Sequence, residues 1–160
     1  LNMTVNTKTA PRRELHFESM QDILDDAQAV TGGPHETTGN WSSGQIITHV
    51  GELIDVSLHG TDAKMPLPLR VMGRVLRPWL LTRPIKPGLK IPKGMRPKFT
   101  PPEDAPLDRA MERFRALCDE AKKPGSMTHS SPLLGRITHD QWVQMHCRHA
   151  ELHFSFIQPE

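Results

Sequence analysis

The chain has 160 residues with 20 Lys+Arg, 18 Asp+Glu, nine His, two Cys, 15 Pro and no Tyr. That length suits one soluble domain, and no run approaches the ~18 apolar residues that a membrane-spanning helix needs. Cys118 and Cys147 stand apart with no C-x-x-C, which excludes a disulfide framework and a thiolate-rich zinc site and makes a reducing cytoplasm the expected setting.

Residues 1–13 are polar and read as a flexible tail ahead of a single domain over 14–160. Ser19 and Asp22 have the spacing of a capping box, with Met20, Ile23, Leu24, Ala27 and Val30 at helical intervals. A helix over 19–31 is expected, closed by Gly32, Gly33 and Pro34. A second box, Ser42 with Gln45, opens a helix ending near Gly60, whose Ile46, His49, Val50, Leu53 and Ser57 share one stripe. Between 66 and 81 one or two short helical pieces are expected, with Leu69, Met72, Val75, Leu76 and Trp79 to Leu81 as buried candidates.

Seven prolines then crowd the stretch 83–106. Proline removes a donor and restricts its predecessor, so this stretch reads as an extended arm and not a hidden helix. Leu107, Ala110, Met111, Phe114, Leu117, Cys118 and Ala121 define another helix, and a third box, Thr138 with Gln141, opens a last one over 139–157. No stretch alternates like a strand. The fold class is all-α, with four main helices.

Charge is distributed unevenly. Residues 63–102 hold ten basic side chains and no acidic one, leaving ten basic against 18 acidic elsewhere. Such asymmetry suits a polyanion or an acidic face of a second subunit. Few aromatics and no recognised nucleic-acid motif accompany it, which weighs against nucleic acid.

The chemistry concentrates in histidines. His149 and His153 are i and i+4 on the last helix, so both rings lie on one face, with His146, Trp142 and Met145 beside them. His49 sits on the apolar stripe of the second helix. Buried imidazoles need partners, and three neutral nitrogens converging from two helices would find them in one divalent metal ion. The plainer alternative is a core His49 bonded to a backbone carbonyl, with the others lining a wet groove. Glu52, one turn from His49, is a candidate carboxylate for an imidazole or an acid–base role. Glu151 and Cys147 point away from the pair, so neither an HExxH pattern nor a Cys–His nucleophile is expected.

The segment from Arg12 to Phe17, the run from Gly39 to His49, the proline- and arginine-rich middle, and Ser131 to Trp142 leading into His149-x-x-x-His153 together resemble a known group. It is the DinB-like (YfiT-type) metal-dependent superfamily, and more closely a branch of unknown function. The resemblance implies an up-down-down-up four-helix bundle, often a homodimer, with a zinc or nickel site on His49, His149 and His153. It also implies thiol (S-)transferase chemistry with a low-molecular-weight thiol, or hydrolysis, on a small-molecule electrophile. Arg70 and Arg74, with His146 and Trp142, are then candidates to line the substrate pocket. Where relatives carry a further His before the last ligand, this chain has Leu152. The rival from another class is a non-catalytic dimeric binding or structural module that uses residues 63–102.

Overall fold

Three side-chain caps set the frame. Ser19, Ser42 and Thr138 each accept from the backbone N–H three residues on, while Asp22, Gln45 and Gln141 accept in return from the N–H of the cap residue. The structure, a computed structural model, describes residues 4–160. In chain order the elements are α1 (Met20–Thr31), β1 (His35–Thr37), α2 (Ser43–His59), α3 (Leu67–Val75), α4 (Arg77–Thr82), α5 (Arg96–Phe99), α6 (Leu107–Ala121), α7 (His139–Phe154) and β2 (Ile157–Pro159).

The fold is mostly helical. Helix α2 packs on α6 and α7, and α1 packs on the same two. Their apolar stripes meet in one core that includes Ile23 and Ala27 of α1, Ile47 and Ile54 of α2, Phe114 of α6, and Trp142 and Phe154 of α7. Each of these side chains other than Ala27 contributes roughly 1.5–3 kcal/mol by leaving water. No described helix is long and apolar enough to cross a membrane.

Helix α7 stops at Phe154, short of the expected 157, because the chain turns into β2. β2 pairs antiparallel with β1, with Thr37 opposite Ile157. Three residues are too few for alternation to register in a sequence, so this ribbon was not expected.

The expected flexible tail is a strap. The Arg13 guanidinium makes two 2.8 Å bonds to Asp26 of α1 and donates to the carbonyls of Phe154 and Ile157. Further out, Thr38 Oγ1 donates to the Pro11 carbonyl, and the Asn40 side chain bonds both the N–H and the C=O of Val5. Polarity suggested looseness, but these polar groups have partners inside the fold. Residues 1–3 of the expected tail lie outside the described residues.

The segment 66–82 is helical as expected, but it is turned outward. Of the expected buried set only Leu81 is fully covered, while Met72, Val75, Leu76 and Trp79 are exposed. Helix α3 meets the body through Gly73, where any Cβ would collide with Leu133. Periodicity reveals which residues share a face and not which face meets the core.

The arm is also corrected. It runs without regular structure to Pro92, then makes a 3₁₀ turn (Lys93–Met95) that leads into α5. Pro97 stands in the first turn of α5, where a missing N–H costs nothing. Met95 and Phe99 are buried in the main core.

Candidate metal centre

Helices α2 and α7 bring His49 of the one against His149 and His153 of the other. One nitrogen from each ring lies within 4.8 Å of the other two. His49 Nδ1 is 2.7 Å from the carbonyl oxygen of Phe99. A carbonyl can only accept, so Nδ1 carries the proton and Nε2 presents a bare lone pair. That lone pair faces His149 Nε2 at 3.2 Å. A tetrahedral ion with ~2.0–2.1 Å bonds separates its ligand atoms by about 3.3 Å, so the pair already has the spacing of two ligands.

Electrostatics favours the ligating form. Burial lowers the His49 pKa below the usual imidazole value, against the weaker opposing pull of the Phe99 carbonyl and Glu52. Burial, with repulsion from His49, pushes His149 and His153 well below it, and His153 repels His149 further. Three neutral imidazoles result, a donor set suited to a borderline divalent ion. The residues therefore fit a metal, and this group can hold one.

The sequence matches, over residues 9–160, the model of a family described as a protein of unknown function, DUF1569. The chain belongs to the DUF1569 family. No curated protein matches it, and no solved structure does. The matched span includes α2 and α7 and so all three histidines of the centre. Because the description of DUF1569 carries no reaction, the chemistry has to be read from the residues.

Around the centre in this DUF1569 chain, the Trp41 ring lies 4.8 Å from His49 and stacks on His153 at 5.8 Å between centroids. The rings face a cleft of about 720 Å³ whose lining includes Leu53, Met95, Met145, Leu152 and Phe156. Trp41 and Phe99 escaped the sequence reading. Trp41 directly precedes the Ser42 cap, where an apolar residue often staples a helix start. Phe99 sits among prolines and carries no comparable signal.

Other candidate residues lie elsewhere. Glu52 contacts no imidazole: its two carboxylate oxygens pair with Lys98 and Arg113, each at 2.8 Å. One turn from His49 proves to be the turn facing those cations. His146 and Trp142 are both fully buried, their rings stacked 5.2 Å apart, and neither lines the cleft. His146 Nε2 bonds Ser57 Oγ at 3.0 Å, and Trp142 Nε1 donates to the His129 carbonyl. Arg70 and Arg74 are also absent from the cleft lining, with Arg74 lying over Gly135 instead.

Glu151 does point away from the pair, accepting from the Phe17 N–H at 2.7 Å and from Arg148 at 2.5 Å. Cys118 and Cys147 are free and buried, and burial pushes each thiol up to about 12. Both stay protonated, so neither is a nucleophile at ordinary pH.

Proposed function

We propose that this protein is a metal-dependent enzyme of the DinB-like kind, in which His49, His149 and His153 hold one zinc or nickel ion. Its reaction is attack on a small electrophile by an external thiol, with hydrolysis as the variant. The observation that carries the reading is the bare Nε2 of His49, its proton held on Nδ1 by Phe99, facing His149 at 3.2 Å. A bound ion supplies Lewis acidity, which lowers the pKa of a thiol or water reaching it. The chain's own part is to orient the rings: α2–α7 packing sets their approach, Phe99 sets a tautomer, and Trp41 covers one side. Because both cysteines are buried and protonated, the thiol has to come from solution, and their free state suits a cytoplasmic setting. Packing of α1 and α2 on both α6 and α7 supports a four-helix bundle.

The test is elemental analysis of untagged protein, followed by thiol transfer to 1-chloro-2,4-dinitrobenzene and by ester hydrolysis, for wild type and His149→Ala. Metal and turnover present in the wild type and absent from a folded variant are expected. A wild type that refuses both zinc and nickel overturns the reading.

One observation favours a homodimer as well. Helices α3 and α4, with the Leu76 that joins them, expose Val71, Val75, Leu76 and Trp79 on adjoining turns, and large exposed apolar patches usually mark contact surfaces. This is the face a second copy would cover, and it lies within the basic region 63–102. Sedimentation of Val75→Asp should show a monomer with unchanged metal content. A metal-free protein that still dimerises through this face would favour the non-catalytic module.

A further inference from the structure

We infer that the cleft above the three histidines takes a small molecule with an apolar alkyl or aryl body and a single metal-directed head group. The head-group half of this inference rests on the metal reading above, whereas the apolar half stands on the cleft itself.

Several polar groups of the cleft wall are already paired within the protein. The Asn40 amide is consumed by Val5 at 2.7 and 2.9 Å, and Asn6 Oδ1 accepts from the Lys8 N–H. Ser131 Oγ accepts from the N–H groups of Leu133 and Leu134. The rest of the lining is mostly hydrocarbon: Leu53, Met145, Leu152 and Phe156 on the body side, with Ile91 and the exposed Leu89 on the arm. A polar ligand body entering here would lose its water and find few replacement partners, while an apolar one gains by leaving water.

Charge leads to the same conclusion. Of the ten cations between 63 and 102, Lys90 alone lines the cleft, joined by Lys8 from the strap, and both are exposed. Among the described residues, no arginine and no carboxylate side chain lines it. The basic region therefore does not prepare this cleft for a polyanion.

The volume also suits a small molecule, since about 720 Å³ falls inside the usual range for such sites. The cover comes from two segments that meet. Lys8 lies across Gly88, where φ is +97° and a Cβ would stand 2.6 Å from Lys8 Cε. Strap and arm, some 80 residues apart in sequence, thus meet over the cleft.

The experiment compares acetohydroxamate, octanohydroxamate and gluconohydroxamate by calorimetry on the zinc-loaded 160-residue protein. Each buried methylene is worth about fourfold in affinity, so octanohydroxamate should bind at least ~30-fold tighter than acetohydroxamate. The polar-bodied gluconohydroxamate should gain nothing. Leu89→Asp, a change at an exposed arm residue that lines the cleft, should reduce the chain-length preference. Equal binding of all three hydroxamates to zinc-loaded protein overturns the inference and leaves the metal reading standing. For protein that takes up no zinc, the probe is 1-octanol. Saturable binding weakened in Leu89→Asp keeps the apolar cleft while the metal reading falls, and no binding overturns the inference.

Discussion

His49 donates its Nδ1 proton to the carbonyl of Phe99 across 2.7 Å, so a residue of the proline-rich segment decides which nitrogen of an α2 histidine is free. The Phe99 ring is itself buried in the core, which fixes the carbonyl in place. Partners of this kind typically tune metal affinity by 10–100-fold. Phe99→Ala should therefore weaken zinc binding by about that factor and destabilise the fold by ~3–5 kcal/mol. Phe99→Leu should keep most of the affinity. Competition with a chromogenic chelator, with thermal melts alongside, reads both effects.

The three histidines should act as one unit. Wild type is expected to bind about one ion per chain, and His49→Ala, His149→Ala and His153→Ala to bind almost none. Elemental analysis after dialysis against free zinc checks this, and circular dichroism shows that each variant has folded.

Glu52 should be dispensable to the centre. Its carboxylate serves Lys98 and Arg113, which are themselves partly exposed. Glu52→Gln is expected to leave metal content unchanged and to cost at most about 1 kcal/mol per weakened pair. A metal-free Glu52→Gln protein would return this carboxylate to the site.

Glu151 and Arg148 clamp the chain entering α1. Glu151 accepts from the Phe17 N–H, and Arg148 donates to the Phe17 carbonyl at 2.7 Å. Removing one partner of a buried ion pair strands the other, so Glu151→Ala should cost about 3–5 kcal/mol in urea unfolding. Glu151→Gln, which still accepts from Phe17, should cost less.

Stability should fall in acid partly through His146. Burial, with a smaller contribution from His139, lowers its pKa to about 3, whereas the unfolded chain has the ordinary value of about 6.5. Between these values the unfolded chain binds a proton that the folded chain refuses. The term is absent above about pH 7, and stability is lost as pH drops below 6.5, by at most ~1.4 kcal/mol per pH unit. In metal-stripped protein His149 and His153 add in the same direction. Urea titrations at about pH 4.5, 5.5 and 7 should show a shallower pH dependence for His146→Leu.

Much of the helical frame was legible in the chain, because capping and helical periodicity are local. The boxes at Ser19, Ser42 and Thr138 stand where spacing put them, and His149 and His153 share a face because an α-helix turns every 3.6 residues. Tertiary structure decided what those faces meet. It set His49 against His149, turned Glu52 toward Lys98 and Arg113, buried His146 behind Trp142 and left Val75 and Trp79 in solvent. It also tied Arg13 to Asp26 and drew Lys8 over Gly88, converting two stretches that read as loose into the cover of a cleft. Such contacts join residues far apart in sequence, and their partners are fixed only when the helices pack, so local pattern carries no trace of them.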